Sequence, residues 1–371
     1  MGVKIYYYIV AAILVLGVLM PQWGRSRTRY VTLMAILHAF ICGWRYMYLH
    51  GDLYMYSATY YQNMDKGWFD PDVFQEGRNF GFYWLQKVIA NWTDGDFQVF
   101  LIFIAIVTEL AVMMVILRYS PYPVLSFLLW DCFGFYVFGF IIIRQALAMA
   151  LLMFAFCAMM ERHLGRYLLM VALAGTIHAP ALIFLPAYWL VKNRLSVMKM
   201  VNYAIVALII FKARNPIVEF ISEFYYEETD FAVNSAVGGR FMMIVAMIAA
   251  GVLLRGFVGR DFNVLLNLMV VAAIVQMFSG FDNVFTRLTD YYFQFVILYL
   301  PMMFYPEMDI ERGDYRGTKY VRLSQHERAI ALLGVVLLAI LYYHVTMLNV
   351  HIELAVDDYL NYRFCWEVPV K

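Results

Sequence analysis

Residues 97–117 read FQVFLIFIAIVTELAVMMVIL and contain a single charged side chain, Glu109. A bilayer core about 30 Å thick is crossed by a helix of roughly 20 apolar residues. A helix is also the form in which such a segment satisfies every backbone hydrogen bond without water. This stretch therefore predicts a transmembrane helix. The other apolar runs of the chain are compared with it in length and composition.

The composition of the whole chain supports the same interpretation. Of its 371 residues, 64% are hydrophobic and only 15% are charged. Soluble domains carry roughly 45–50% apolar and about 25% charged residues. The chain therefore has too little polar surface to cover a water-soluble globule. We exclude a soluble enzyme, a disordered regulator and a nucleic-acid binder, and we predict an integral membrane protein.

Further apolar runs raise the expected number of transmembrane segments to about twelve. The runs are Ile5–Met20, Val31–Leu49, Val124–Ile143, Gln145–Met160, Phe262–Phe281, Leu288–Tyr305 and Ala329–Asn349, with shorter ones at Tyr167–Ile177, Ala181–Val191, Val201–Phe211 and Phe241–Leu254. The first run lacks the small-residue cleavage site of a signal peptide, so we interpret it as a retained helix. The predicted architecture is all-α, a polytopic membrane helix bundle in which residues 1–371 form one integral domain.

The distribution of basic residues predicts which loops face the cytoplasm. Alternating loops that include Arg25, Arg27 and Arg29 carry more than half of the 28 Lys and Arg residues. An excess of these residues marks the cytoplasmic side, so both termini are expected to face outward. Two outward loops, 50–96 and 212–240, are too long to be simple connections. The first contains an amphipathic stretch, Phe80–Trp92, suited to the membrane interface.

Several arginines are expected on the outward side, which is otherwise acidic. Arg144 stands at a short turn between two apolar runs, Arg240 follows two glycines, and Arg287 precedes Asp290 by three residues. Each has a structural alternative: Arg144 can reach the headgroups, and Asp290 can pair with Arg287 on one helix face. Converging arginines would instead bind a lipid diphosphate, because the guanidinium fork matches phosphate oxygens.

His178 and two carboxylates are the other ionisable groups placed near or within apolar runs. His178 lies beside a helix break at Pro180, where it either packs in the interior or accepts a proton. Glu109 and Asp131 lie deep in predicted spans. They either serve a cation-coupled transporter or are structural partners of Arg45 or Arg144, since buried charges require a partner or a function.

Short motifs do not indicate a metal or a cofactor. Cys42, Cys132, Cys157 and Cys365 are widely spaced without a CxxC pair, so neither a metal site nor a disulfide framework is predicted. Signatures such as HExxH, GxSxG, the P-loop and the dinucleotide fingerprint are absent from the sequence. We expect a function that uses neither.

Several outward elements stand in a fixed order over roughly residues 50–305. They are Gly51-Asp52 with Tyr56, Phe80-Gly81-Phe82-Tyr83-Trp84-Leu85, Ile143-Arg144-Gln145-Ala146-Leu147-Ala148, Ile177-His178-Ala179-Pro180 before Leu185-Pro186-Ala187-Tyr188, and Thr286-Arg287-Leu288 with Tyr291-Tyr292 before Leu300-Pro301. In this order they resemble the EpsG family of Wzy-like polysaccharide polymerases. The chain differs at Asn79, where the family often has glutamate, and at Pro180, where it commonly has serine.

The resemblance implies a membrane glycosyltransferase with a GT-C-like helical fold, active without metal at the outer face of the bacterial cytoplasmic membrane. Donor and acceptor would be glycans linked to undecaprenyl diphosphate, and a flippase and a chain-length regulator are expected partners. The product would be exopolysaccharide, capsule or O-antigen. The implied catalytic residues are His178, Arg144, Asp52 and Glu76, and the implied diphosphate- or sugar-binding residues are Arg287, Arg240, Arg78, Tyr56, Tyr291 and Tyr292.

Two other functions are also compatible with the sequence. A flippase or transporter of the lipid-linked unit would predict inverted repeats and paired broken helices, whereas the sequence shows one break and no repeat. A ligase or a transferase of single sugars would share nearly all of the features above. A gel ladder of products spaced by one repeat unit distinguishes a polymerase from a transporter and from these other transferases.

Overall fold

The computed structural model describes residues 4–47, 51–68, 70, 79–191, 196–225, 238–255, 259–305, 323–354 and 362–367. Within these residues the regular structure is helical, apart from one isolated antiparallel bridge between Arg45 and Phe364. The expected all-α class is confirmed for this part of the chain. Three of its helices are long and apolar enough to cross a membrane, Phe97–Tyr119, Ile143–Met160 and Gln325–Thr346. The number of twelve segments stays a prediction.

The helices are numbered here in chain order. They are α1 Lys4–Leu19, α2 Gly24–Gly43, α3 Gly51–Met64, α4 Phe80–Trp92, α5 Phe97–Tyr119, α6 Pro123–Cys132, α7 Phe135–Phe138, α8 Ile143–Met160, α9 Leu164–Ile177, α10 Ala187–Leu190, α11 Val197–Lys212, α12 Arg214–Tyr225, α13 Gly239–Arg255, α14 Arg260–Gln276, α15 Asn283–Phe293, α16 Val296–Phe304 and α17 Gln325–Leu354. Short 3-10 helices are also present at Ala179–Phe184, between α9 and α10, and at Cys365–Glu367.

Two predicted runs are interrupted in the structure. The run 124–143 is divided into α6 and α7 because Gly134 adopts φ +81°, a left-handed conformation that glycine tolerates best. The run 288–305 is divided between α15 and α16 near Gln294. Hydrophobic composition predicted both stretches as membrane-embedded segments, but it does not show where a buried backbone turns.

Contacts divide the chain into two compact units, Met1–Leu182 with His326–Lys371 (unit 1) and Ile183–Gln325 (unit 2). In unit 1, α2 packs on α5, α5 on α8, and α8 on α9. At the end predicted to be cytoplasmic, Arg27 donates to the carbonyls of Ile116, Leu117 and Ser120 and so caps α5. Such a cap stabilises the last turn of a helix, where carbonyls have no partner within the helix.

A buried polar cluster lies where α2, α5 and α6 meet. His38 Nε2 is 3.0 Å from Asp131 Oδ1, and His38 Nδ1 is 2.7 Å from the Met34 carbonyl oxygen. Glu109 belongs to the same buried region, and its Oε2 has no hydrogen-bond partner among the residues described. Asp131 therefore pairs with His38, a residue that the sequence analysis did not select, and not with Arg45 or Arg144 as considered above.

We expect His38→Ala to lower the free energy of unfolding by about 3 kcal/mol, because it leaves the Asp131 carboxylate buried without its partner. His38→Gln keeps a group able to donate to Asp131 and should cost less. Thermal unfolding of the two purified variants in detergent measures the difference. Equal stability of His38→Ala and the unmodified chain would contradict a stabilising role for the pair.

Unit 2 is built around α14. This helix packs against α13, α15, α16 and α11, and thirteen of its residues are buried. Tyr299 of α16 stacks on Phe262 with ring centroids 5.2 Å apart, and its hydroxyl donates to the Met247 carbonyl at 3.0 Å. These contacts join α13, α14 and α16 into one core.

Candidate functional site

Arg144 lies in a cradle of aromatic side chains in unit 1. It occupies the second position of α8. Its Nε donates to the Tyr56 hydroxyl and its Nη1 to the Tyr83 hydroxyl, both at 3.3 Å. The guanidinium also lies over the rings of Tyr56, at 5.2 Å, and Phe82, at 6.0 Å. Of the two orientations considered from the sequence, the structure shows the inward one, against α3 and α4.

The two helices that form this cradle are fastened to each other by Lys87. Its buried ammonium group donates to the carbonyls of Asn63, Met64 and Lys66 at the end of α3 and lies 5.2 Å from the Trp68 ring. A cation at a helix C-terminus satisfies free carbonyls and the helix dipole together. The contact fixes α4 relative to α3, and it thereby places Tyr83 and Tyr56 around Arg144.

Buried Tyr60 of α3 forms a second contact, with the residues that follow α4. Its hydroxyl donates to the Asp96 carbonyl at 3.2 Å and lies 3.2 Å from Thr93 Oγ1. Burial raises the pKa of this hydroxyl, so it stays protonated and keeps the bond. Asp52 lies on α3 one turn before Tyr56, so the two residues share a helix face.

His178 ends α9 close to the beginning of α4. Its backbone is extended, with φ −148° and ψ 103°, because the helix cannot continue into the Ala179-Pro180 step. The chain turns there into a 3-10 segment, so the break predicted at Pro180 is an ended helix and not a kinked one. The Ala179 amide donates to Asn79 Oδ1 at 3.2 Å. The first turn of α4 thus contacts both the His178 segment and, through Tyr83, Arg144.

Gly81 permits the close approach of α4 and α9. A Cβ at this position would lie 2.3 Å from Thr176 Oγ1, 2.7 Å from its Cβ and 3.0 Å from its backbone carbon. No side chain fits without displacement of one helix. The close approach of Thr176 therefore explains why residue 81 is a glycine.

We expect Gly81→Ala to separate α4 from α9 and to lower stability by about 1–3 kcal/mol, as overpacked positions do. The matched control is Gly165→Ala in α9, where a Cβ would meet no atom of the described residues within 4 Å. There alanine should be neutral or stabilising, because it favours a helix more than glycine does. The melting temperatures of the two variants measure the contrast, and equal effects would contradict the steric argument.

Of the residues that the resemblance selected, unit 2 contains Arg240, Arg287, Tyr291 and Tyr292. Arg240, in the first turn of α13, forms an ion pair with the buried Asp290 of α15, and its guanidinium lies 4.9 Å from the Phe293 ring. The structural alternative considered for Asp290 was a pairing with Arg287 on one helix, whereas the ion pair in the structure joins Asp290 to Arg240 on another helix. Arg287 is exposed, whereas Tyr291 and Tyr292 are fully buried, and the Tyr292 hydroxyl donates to the Ile183 carbonyl at 2.5 Å.

Some predicted residues cannot be placed. Glu76 and Arg78 lie outside the described residues, as does 226–237 within the second long loop. In the described residues no group of three or more His, Cys, Asp or Glu side chains could hold a metal ion. Trp68 and Trp84 are exposed and have ring centroids 6.5 Å apart, and the Lys87 ammonium group lies over the Trp68 ring. Their exposed aromatic faces are suited to stacking on sugar rings.

Chemically, unit 1 combines a cation, a helix N-terminus and a histidine. Arg144 and the first amides of α8 both favour an anion, because a helix N-terminus carries partial positive charge. Two residues of this region were not predicted from the sequence: Asn79, which accepts from the Ala179 amide, and Lys87, which fixes α4. Asn79 was noted only as a departure from a pattern, and Lys87 carried no sequence signal beyond its place in an amphipathic helix.

Comparison with known proteins gives one match. A family model described as EpsG family matches residues 28–364, nearly the whole chain. No curated protein and no solved structure matches the chain.

Proposed function

The chain belongs to the EpsG family, and we propose that it is a glycosyltransferase that joins oligosaccharide repeat units carried on undecaprenyl diphosphate. Membership of the family and the apolar helices give a membrane protein with a polysaccharide polymerase-like role. The proposal adds the donor, the acceptor and the site. The donor glycan would leave its lipid carrier and be transferred to a hydroxyl of the next lipid-linked unit, without a metal.

The observation that carries the proposal is the environment of Arg144. Cleavage of the anomeric bond leaves negative charge on the diphosphate, so a positioned guanidinium stabilises the transition state more than the ground state. Arg144 is held by two phenolic hydroxyls and two aromatic faces at a helix N-terminus. This arrangement orients the cation before the substrate arrives, so little reorganisation is needed during the reaction.

The acceptor hydroxyl must also lose a proton. His178 is the proposed base, because the first turn of α4 links its segment to the Arg144 cradle. Asp52 and Glu76 are the alternative bases. Further diphosphate and sugar contacts are proposed for Tyr56, Arg78, Arg240, Arg287, Tyr291 and Tyr292.

The proposed location is the outer face of the bacterial cytoplasmic membrane. The basic loops favour this orientation of the predicted long loops 50–96 and 212–240. The polymer would be exopolysaccharide, capsule or O-antigen. A flippase would supply the lipid-linked unit, and a chain-length regulator would limit the product.

The test is a reaction of the purified chain with lipid-linked oligosaccharide in detergent, followed by gel separation of the products. We expect a ladder spaced by one repeat unit. A detergent solution has no compartments, so a pure transporter would give no product. A single added sugar or one transferred chain would indicate the alternative transferases, and either result would contradict polymerisation.

A further inference from the structure

Arg45 is a fully buried cation that has no anionic partner among the described residues. Its Nη1 donates to the Cys42 carbonyl and lies 3.5 Å from Cys42 Sγ, but Nε and Nη2 have no hydrogen-bond partner in the part of the chain that the structure describes. The guanidinium lies 5.4 Å from the Phe140 ring and has no exposed surface. Among the described residues, no carboxylate lies within 4 Å of it.

Such an arrangement is expensive unless an anion completes it. Buried charges are normally paired or neutralised, and arginine stays protonated in proteins. Two unsatisfied nitrogens on one planar guanidinium present the edge that binds phosphate oxygens with two parallel hydrogen bonds. The buried arginine therefore carries the donor geometry of a phosphate site that is incomplete without its ligand.

A short segment near the C-terminus lies over this guanidinium. Residues 362–367, named here the strap, pair with residues 44–46: the Cys365 amide donates to the Trp44 carbonyl at 2.9 Å, and the Tyr46 amide to the Arg363 carbonyl at 2.8 Å. These two bonds flank the antiparallel bridge between Arg45 and Phe364. They make it a non-hydrogen-bonded pair, in which the two side chains stand close on one face. Phe364 thus stands beside Arg45.

Arg45 also contacts the segment that leads into the cradle described above. Phe140, whose ring lies 5.4 Å from the Arg45 guanidinium, belongs to the turn before α8, and Arg144 follows it by four residues. Both guanidinium groups belong to unit 1. A diphosphate has two phosphoryl groups, so it can use two guanidinium forks at once.

We propose that Arg45 is a second phosphate-binding residue of the Arg144 site and that the strap moves away from it when a diphosphate enters. This inference rests on the proposed function, because it assumes that unit 1 binds a diphosphate. Arg144 provides the open part of the site. Arg45 provides the covered part, which the strap keeps from water and from other anions.

The first experiment measures ligand-dependent stabilisation, since a ligand that binds the native state raises the melting temperature. The probes are undecaprenyl diphosphate and inorganic pyrophosphate, added to the full chain in lipid nanodiscs. We expect both to raise the melting temperature of the unmodified chain, and the lipid form to act at lower concentration. Stabilisation by pyrophosphate alone would identify a free anion as the ligand and overturn the link to the lipid carrier.

The second comparison uses Arg45→Gln, which removes the charge and keeps a polar side chain. We expect a Kd for undecaprenyl diphosphate weakened at least about tenfold, with an unliganded melting temperature that is unchanged or higher because the unpaired charge is gone. The matched control is Arg118→Gln, whose arginine pairs with Glu161 at 2.6 Å in the same unit. It should bind as the unmodified chain does. Unchanged binding by Arg45→Gln would overturn the proposal.

A reversible disulfide bond tests whether the strap has to move for the ligand to bind. Trp44 and Cys365 stand opposite each other across the antiparallel bridge, and such neighbours lie within the separation that a disulfide spans. Oxidised Trp44→Cys should lose the ligand-dependent shift and regain it after reduction. The unmodified chain, oxidised in the same way, is the control. Binding by the locked chain equal to that of its reduced form would overturn the movement of the strap.

These measurements separate the two proposals. If the unmodified chain shows no shift with either probe, the diphosphate site itself is contradicted, and the proposed function with it. If the unmodified chain responds and Arg45→Gln responds equally, only the role of Arg45 is contradicted.

Discussion

Replacement of Arg144 by alanine is expected to reduce polymer formation by about 10²–10³-fold, the loss seen when one donor that stabilises transition-state charge is removed. The physical reason is the loss of a cation that two hydroxyls and two rings hold in place. Polymer yield in cells and turnover of the purified chain measure the effect. The melting temperature of the variant should fall much less than its activity, because the side chain is only half-buried.

Two further variants separate charge from geometry at this position. Arg144→Lys keeps the charge but not the planar fork, so it should restore only a small part of the activity. Tyr83→Phe removes one hydroxyl that orients the guanidinium and should cost less than Arg144→Ala. Full activity of Arg144→Ala would contradict the assignment, and full rescue by lysine would contradict bidentate binding.

The second large effect is expected at the ion pair of unit 2. Arg240→Ala leaves the Asp290 carboxylate, which is 2% exposed, without its partner. Breaking a buried pair in this way typically costs about 3–5 kcal/mol. We therefore expect a strong loss of folded protein and, through that loss, of polymer.

A double variant decides whether Arg240 acts on the structure alone. Arg240→Leu with Asp290→Leu replaces the pair by apolar side chains and should recover most of the stability, as such replacements often do. If Arg240 also binds the diphosphate, the refolded double variant stays inactive. Recovery of activity together with stability would assign the arginine a purely structural role. Size-exclusion chromatography and the reconstituted polymer assay provide the two measurements.

Parts of the fold could be predicted because the sequence pattern there is local. The amphipathic stretch 80–92 was predicted with the bounds that α4 has in the structure, since its buried residues recur at helical spacing. The run 97–117 likewise became α5. The run 124–143 was wrong as a continuous segment, because the turn at Gly134 depends on packing around it and leaves hydropathy unchanged.

The site could be predicted in its residue types but not in its pairings. Sequence identified Arg144 and a break beside His178, and the structure brings both to the first turn of α4. It could not identify Asp290 as the partner of Arg240, since the two are fifty residues apart. His38 was overlooked for the same reason: its partner Asp131 lies on another helix.

The first turn of α4 supports the proposed cation and the proposed base at the same time, through Tyr83 on one side and through Asn79 and Gly81 on the other. Substitutions in this turn should therefore be epistatic with changes at Arg144 and at His178. A displacement of the turn would alter the contact of Tyr83 with Arg144 and the contact of Asn79 with the segment that follows His178. Evolution of a new linkage specificity would then require coordinated changes in three separate sequence elements, and variants altered in only one of them should lose rate without gaining selectivity.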